Sequence, residues 1–168
     1  ISIMNLANHY YKTKDFQKAE PLYKETIEIR AKVFGKQHES YALVLYNLAV
    51  MYLEMGNVES GEKLTLEARE IWLNSFENEN YINSLSHLTS IYLHAGKLEE
   101  CKNLIFEMDG LIRILVEKSA AYSSENQMLA YLKTFERSNA QIQTFIQQHP
   151  SKDLIQLAYD NALFYNGY

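Results

Sequence analysis

Apolar residues recur along this chain at the three- and four-residue spacing that is typical of amphipathic helices. In residues 2–13, Leu6, Ala7 and Tyr10 fall on one face, and a break follows at Lys14. A second apolar stripe begins directly after the break and consists of Phe16, Ala19, Tyr23 and Ile27. The pattern predicts two helices that are joined by a short turn.

This helix–turn–helix pattern occurs three times along the chain. Leu6, Leu48 and Leu88 hold the same place in the three copies, at offsets of 42 and 40 residues. The turns of the second and third copies contain glycine, which tolerates the left-handed conformation that ends a helix. The first copy has Lys14 at this place. We therefore predict that the end of its first helix is less favourable, because lysine adopts the left-handed conformation at a higher energetic cost than glycine.

The three copies are predicted to form stacked helix pairs. Asp15 and Asn57 follow the turns and should cap the second helices of their pairs. Small residues occupy the places where paired helices approach, and they are Ala7, Ala19, Ala49, Gly61 and Cys101. Because one pair cannot bury both of its faces, the pairs must stack. We expect pairs at about residues 2–35, 42–77 and 82–118, which together form a domain over residues 1–118.

Three details of the repeats lead to further expectations. The core should include the tyrosines of one repeat position, which are Tyr10, Tyr52 and Tyr92. Cys101 stands where Ala19 and Gly61 stand in the other copies, so a packing role is expected rather than that of a nucleophile. Pro21 lies inside a predicted second helix, where the missing amide donor should bend the chain.

Residues 119–168 no longer follow the repeat and are predicted to form two further helices, which cap the array or link it to another domain. A polar break at residues 119–124 precedes one long helix from Glu125 to Gln148, which Pro150 ends. Ser151 should cap the last helix. The residues expected to face inward are Met128, Leu132, Phe135, Ile142, Phe145 and Ile146, followed by Leu154, Leu157, Ala158, Ala162 and Leu163.

The composition favours an all-helical protein. The chain holds 6 Gly and 2 Pro in 168 residues, and 47% of its residues are apolar. A net charge of −5 argues against a nucleic-acid partner, because such proteins usually carry a basic face. The longest apolar stretch, Ala42–Leu53, is shorter than the roughly 20 residues of a membrane span, so no membrane partner is expected.

The single cysteine and the start of the chain lead to predictions about the cellular compartment and the parent protein. One cysteine rules out an internal disulfide framework and fits a reducing compartment. No basic segment followed by an apolar core indicates a signal peptide, and a cytoplasmic location is expected. The chain starts with Ile1 rather than Met, which predicts that it was cut out of a longer protein. A monomer is the expected oligomeric state.

No group of residues predicts catalysis. His87 and His94 are seven positions apart and share a helix face, but the further ligands of a zinc site are missing. The sequence contains no glycine-rich phosphate loop and no G-x-S-x-G motif. Acidic pairs such as Glu99 and Glu100 stand at helix starts, where they complement the helix dipole. We therefore expect no enzyme, no cofactor and no bound metal.

The repeat positions resemble the tetratricopeptide repeat, in its long variety that occurs in kinesin light chains. The residues that carry this resemblance lie in Asn5–Ala7, Ala19–Tyr23, Glu28–Arg30 and Phe34–His38, and it extends over about residues 1–118. The resemblance implies an all-α solenoid of antiparallel helix pairs wound into a right-handed superhelix. It also implies a scaffold that binds a protein or a peptide.

In this family the binding groove is lined by the first helix of each pair. The repeat frame then places in the groove Asn5, Asn8, Tyr11, Lys12, Tyr46, Asn47, Val50, Glu54, Asn83, His87, Ser90 and His94. Asn47 suits an extended peptide because its amide pairs with both backbone N–H and C=O. The alternative interpretation is a polar surface that binds no ligand.

One subclass of these repeats, which holds the two carboxylates at a peptide C-terminus, is disfavoured by the sequence. Asn8 and Asn47 fall at the two asparagine places of its clamp, but Met4, Asn83 and His87 fall where the cations should be. Without those charges a terminal carboxylate would be poorly held.

The tail is similar to a segment of CHAT proteins, in which a caspase-like peptidase domain follows a tetratricopeptide array. The residues concerned are Met128–Leu132 and Leu157–Gly167. This likeness implies the regulatory arm of a larger bacterial protein, with the catalytic residues beyond Tyr168. The alternative is a stand-alone cargo or complex-assembly adaptor without an attached enzyme. An RNA-reading helical repeat is disfavoured by the long period and the acidic balance.

Overall fold

The structure, a computed structural model, describes residues 2–73, 79–120 and 124–165, and all regular secondary structure within them is α-helical. The helices are α1 (Ile3–Lys12), α2 (Phe16–Phe34), α3 (Glu39–Glu54), α4 (Val58–Leu73), α5 (Glu79–His94), α6 (Leu98–Ala120), α7 (Glu125–Thr134), α8 (Glu136–Gln148) and α9 (Lys152–Tyr165). They belong to two compact units, Ile1–Leu104 and Ile105–Tyr168. The predicted pair end at residue 77, the break at 121–123 and residues 166–168 lie outside the described residues.

The core of the first unit forms where one helix pair closes on the next. Its buried residues are Ala7 on α1, Ala19 and Tyr23 on α2, and Val44, Leu48 and Met51 on α3. Leu48 therefore packs on the preceding helix pair. Leu6, its equivalent in α1, is 37% exposed, while Leu48 is 3% and Leu88 1% exposed. The stacking of pairs, rather than the amphipathic pattern alone, buries this repeat position.

The turn between α1 and α2 contains the strained residue that the sequence predicts. Lys14 has a φ of 61°, in the left-handed region, and Gly56 and Gly96 have φ values of 79° and 71° at the equivalent turns. The Lys14 ammonium pairs with the Glu54 carboxylate at the end of α3. Contacts of the side chain thus offset a backbone conformation that disfavours residues with a Cβ.

The predicted helix caps are confirmed at two positions and wrong at one. Asn57 Oδ1 accepts from the Ser60 amide at 3.2 Å, and Ser151 Oγ accepts from the Leu154 amide at 3.4 Å. Asp15 occupies the N-cap position of α2 but makes no side-chain cap bond. Its carboxylate instead binds the Lys18 ammonium at 2.6 Å, because this ion pair competes for the same oxygens.

The small residues lie where paired helices approach, as predicted. Ala7, Ala19 and Ala49 are fully buried. Cys101 is also buried, and its thiol donates to the Thr89 carbonyl at 3.4 Å, so it joins α5 to α6 as a packing residue. A Cβ at Gly61 would lie only 2.6 Å from Leu53 Cγ and Cδ2.

The prediction that Tyr10, Tyr52 and Tyr92 lie in the core is wrong in detail, because all three are half-buried. Tyr10 and Tyr52 pack against the buried cluster of the first unit. The Tyr52 hydroxyl donates to Glu20 Oε1 at 2.8 Å, and this polar contact keeps the end of the ring outside the core. The helix α2 continues through Pro21, and a bend there stays a prediction.

The tail forms three helices, α7, α8 and α9, rather than the two that were predicted. The expected long helix from Glu125 to Gln148 is interrupted at Phe135, whose backbone angles are φ −101° and ψ 2°. The Phe135 amide donates to the Leu132 carbonyl at 3.1 Å, which closes α7 with a tight last turn. The ring is almost fully buried and packs on Tyr131. The turn thus places a large aromatic side chain in the core of the second unit.

The inward face of α9 also differs from the predicted one. Leu154 and Leu157 are buried as expected, but Ala162 and Leu163 are exposed and Ala158 is half-buried. The inward position of the last two turns is taken by the polar residue Asn161, which is buried and bonded to Arg113. A partner for this buried amide lies far away in the sequence, so the helical pattern of α9 alone does not predict its burial.

We predict that Gly61→Ala destabilises the fold, because the new methyl meets Leu53 at 2.6 Å and the Ala49 carbonyl oxygen at 3.2 Å. Overpacking of this kind costs about 1–3 kcal/mol, which outweighs the better helix propensity of alanine. Gly110→Ala is the matched control, because nothing lies within 4 Å of a Cβ there. It should stabilise by about 0.5–1 kcal/mol. Urea unfolding of the two variants measures both, and equal shifts would contradict the proposed close approach.

Candidate functional site: the face of the first helices

The predicted groove residues lie on α1, α3 and α5, and contacts between these helices bring them together. The Tyr11 hydroxyl donates to Glu54 Oε1 at 2.5 Å, which joins α1 to α3. The Tyr46 ring lies 5.0 Å from the His87 ring, which joins α3 to α5. Residues from all three repeats thus form one surface of the first unit, which we call the groove face.

None of the twelve predicted residues is buried, so all of them reach this surface. The exposed ones are Asn5, Lys12, Glu54, Asn83, Ser90 and His94. The half-buried ones are Asn8, Tyr11, Tyr46, Asn47, Val50 and His87. The structure therefore allows the predicted site, while its role in binding stays a prediction.

Asn8 is already engaged inside its own helix pair. Its Oδ1 accepts from the hydroxyl of Tyr23, on α2, at 2.7 Å. Burial raises the pKa of Tyr23 to about 12, so this hydroxyl stays a donor at neutral pH. The oxygen of Asn8 therefore holds α1 against α2 and is less available to a ligand than the sequence suggests.

Asn5 and Asn47 differ from Asn8 in this respect. They hold the same repeat position, 42 residues apart. Neither amide makes a hydrogen bond to any residue that the structure describes, and Asn47 is half-buried at the surface. An amide in such a place needs water or a ligand as its partner, since leaving both its donor and its acceptor unpaired is costly.

Glu54 is the charged centre of the face and binds two groups from the first repeat. It accepts from the Tyr11 hydroxyl and pairs with the Lys14 ammonium. The hydrogen bond from Lys14, then that from Tyr11, holds the pKa of Glu54 below its ordinary value of 4.5. The part played by Lys14 was not predicted from the sequence, although a lysine at a glycine position was a visible signal.

An aromatic cluster supports the middle of the groove face. The Trp72 indole, fully buried on α4, packs edge-on against Tyr46 with ring centroids 5.6 Å apart. The Tyr46 hydroxyl reaches the Asn83 carbonyl oxygen at 3.5 Å. Trp72 was also missed, because it lies on a second helix and its contact with Tyr46 depends on the packing of α3 on α4.

Two of the predicted residues, Ser90 and His94, lie towards the end of α5. The His94 ring nitrogen Nδ1 is 2.7 Å from the Ser90 carbonyl oxygen of the preceding turn. Within the described ranges, no group of three or more His, Cys, Asp or Glu side chains could hold a metal ion. Burial raises the pKa of the Cys101 thiol, which disfavours the reactive thiolate. The groups that the face presents are therefore mainly amides, aromatic rings and apolar side chains.

Residues 1–60 match the family model described as tetratricopeptide repeat. No curated protein sequence matches the chain. Among the residues that the structure describes, no helix has both the length and the apolar character that a membrane crossing requires.

Several solved structures are similar to this chain. BtubC (BKLC) from P. vanneervenii is 14% identical with a TM-score of 0.61, and the match covers 99% of this chain and 64% of that one. The nearly identical TPR-like repeats of a putative kinesin light chain from Podosopora anserina are 17% identical with a TM-score of 0.54, covering 89% and 96%. A variant of the latter is 18% identical with a TM-score of 0.56, covering 98% and 89%.

These matches confirm the predicted fold class. The chain has the all-α fold of tetratricopeptide-repeat solenoids, and its repeats are structurally similar to those of the kinesin light chain type. This fold supports a protein–protein interaction scaffold. The chain spans less than two thirds of the length of the BtubC structure.

We predict that Glu54→Gln destabilises the protein at pH 7 but not in acid. A carboxylate whose pKa is lowered by folding stabilises the folded state above its unfolded pKa, and this contribution is lost as the pH falls through the folded pKa. Because the side chain is 36% exposed, the loss at pH 7 should stay below about 1 kcal/mol. The measurement is the urea midpoint of both proteins at pH 7 and near pH 3.

Glu28→Gln, at an exposed position on α2, is the matched control. It should leave the urea midpoint unchanged at both pH values. A difference between Glu54→Gln and the parent protein that is equally large at both pH values would show that the ion pair does not contribute through its charge.

Proposed function

We propose that this chain is a protein-interaction module that holds an extended segment of a partner protein or peptide along its groove face. The observation that carries the proposal is the pair of amides at Asn5 and Asn47. They share a repeat position and are unengaged by any described residue. Each can donate to a backbone carbonyl and accept from a backbone amide, which is the pairing that an extended segment offers.

The neighbouring side chains favour a ligand with apolar groups between its backbone contacts. Tyr46 and Val50 lie on α3 within one turn of Asn47, and both are half-buried. The Trp72 indole packs edge-on against the Tyr46 ring, so this ring is already held in place without a ligand. A preformed surface reduces the ordering cost that weakens binding.

The charges of the groove face argue against a partner that is recognised mainly through carboxylates or phosphates. Glu54 is acidic and is already paired with Lys14. Lys12 is the basic member of the predicted set. The cation places of a two-carboxylate clamp hold Met4, Asn83 and His87 instead. Hydrogen bonds and apolar contacts would therefore carry most of the affinity.

We further propose that the module is the regulatory arm of a larger CHAT-type bacterial protein. The support is the likeness of Met128–Leu132 and Leu157–Gly167 to the segment that precedes such peptidase domains. In this setting the chain itself is a cytoplasmic monomer without catalytic activity, cofactor or nucleic-acid partner. The alternative is a stand-alone adaptor, and the structural similarity to a putative kinesin light chain favours it.

The mass of the native gene product separates these two settings. A longer protein with a separated His and Cys on an α/β pattern after Tyr168 would support the regulatory arm. A product that ends near Tyr168 would contradict it and leave the adaptor. Either result leaves the binding role of the groove face to be tested independently.

We predict that Asn47→Ala weakens the partner while leaving the fold intact. The partner is first captured with a photo-crosslinking residue at position 50, one turn from Asn47 on α3, with position 28 on α2 as the control site. Loss of two hydrogen bonds of about 1 kcal/mol each should weaken binding of the purified partner about tenfold or more. Titration calorimetry measures the affinity, and thermal melting should show no shift.

Asn103→Ala is the matched control, because Asn103 is an exposed asparagine on α6, outside the groove face. It should leave both the affinity and the melting temperature unchanged. Equal affinities of the Asn47→Ala and parent proteins, or crosslinking from position 28 alone, would remove the groove face as the binding site.

A further inference from the structure

The last helix, α9, is attached in two different ways along its length. Its first half is held by the buried apolar residues Leu154 and Leu157. Beyond Leu157 the buried position is Asn161, which is 2% exposed and polar. Apolar burial therefore secures the start of α9, while a polar contact secures its end.

The polar contact is made by Arg113 on α6. Its Nη2 donates to Asn161 Oδ1 at 2.7 Å. Its guanidinium also lies over the Phe164 ring, 5.0 Å from the centroid. These two contacts of one side chain both fall on the second half of α9.

Arg113 is itself fixed on α6 by a buried carboxylate. Its Nε donates to Asp109 Oδ2 at 2.9 Å, one helical turn away. Asp109 is 3% exposed, and its Oδ1 finds no hydrogen-bond donor among the described residues. Arg113 therefore stays with Asp109 whether or not α9 is in place, because a buried carboxylate needs its cation.

The outer side of α9 is apolar as well. Ile155, Tyr159 and Leu163 recur at four-residue spacing and are 57%, 61% and 58% exposed. The second half of the helix thus has the polar residue Asn161 at its most buried position and the large apolar residues Tyr159 and Leu163 on its exposed side, while Ala158 and Phe164 are only half-buried. This reversal of the usual pattern makes docking of the second half weak.

We propose that the second half of α9, residues 158–165, is a strap that Arg113 fastens to α6 and that opens locally while residues 152–157 stay docked. Opening exposes the side of α9 that carries Asn161 and Phe164. Tyr159 and Leu163 are already exposed when the strap is docked. The contact of Arg113 with Asn161 thus controls whether this segment of the second unit is docked or open.

Hydrogen exchange of the full chain, resolved by peptide, tests this proposal with Asn161→Ala. The variant removes the link to α6 and leaves the pair of Asp109 and Arg113 intact. Amides of residues 158–165 should exchange about tenfold or more faster, since a hydrogen bond to a charged group is lost. Amides of residues 152–157 and of α7 and α8 should change less than about twofold, because apolar contacts hold them.

Two further variants and a control sharpen the test. Asn161→Asp keeps an acceptor for Arg113 and should keep the slow exchange of the parent protein. Arg113→Lys keeps the charge that Asp109 needs but loses the planar fork that reaches both partners, so it should also open the strap. Asn126→Ala, at an exposed position on α7, should change nothing.

The outcomes either support or overturn the strap. Faster exchange confined to residues 158–165 in both Asn161→Ala and Arg113→Lys supports it. Unchanged exchange in these residues overturns it, since Arg113 would then not be the fastener. A rise spread evenly over α7, α8 and α9 also overturns it, since Asn161 would then be an ordinary core residue of the second unit.

Discussion

The close approach of paired helices is the constraint on which the repeats depend. At Gly61 there is no room for even one methyl group beside Leu53 and the Ala49 carbonyl. Ala7 and Ala19 are fully buried at the corresponding contact of the first pair. At this contact the helices of a pair are so close that only small side chains fit between them. Leu48, one position before Ala49, is buried against the neighbouring pair.

This arrangement explains how the groove face is formed. Once the second pair closes on the first, α1 and α3 lie side by side and polar residues at their edges meet. Tyr11 and Lys14 bind Glu54 across this boundary, and Tyr46 meets His87 across the next one. The same stacking that buries the core therefore aligns one row of first helices. Their outward residues are left for solvent or a partner.

The repeat frame predicted much of this from the sequence, because each unit repeats the same physical requirements. The tail shows where such reasoning ends. Along α9, Leu154 and Leu157 form one apolar stripe and Ile155, Tyr159 and Leu163 form another. Periodicity cannot choose between two stripes. In the structure Leu154 and Leu157 face in, on the same side as Asn161, which binds Arg113 48 positions away in the chain.

The interruption at Phe135 escaped prediction for a related reason. Apolar residues continue at helical spacing from Met128 to Ile146, so the sequence gives no sign that the chain turns. The turn buries the Phe135 ring, and only the packing of the second unit makes that favourable. Boundaries that are set by tertiary packing rather than by glycine, proline or caps are invisible to local patterns.

The asparagines of the groove face show why structure is needed to separate packing from function. Asn8 and Asn47 look alike in the sequence, and both were placed in the groove. Tyr23, almost fully buried, gives Asn8 a structural partner. Asn47 is half-buried and has no such partner among the described residues. A residue that gains nothing from the fold through its polar atoms is the better candidate for a role outside it.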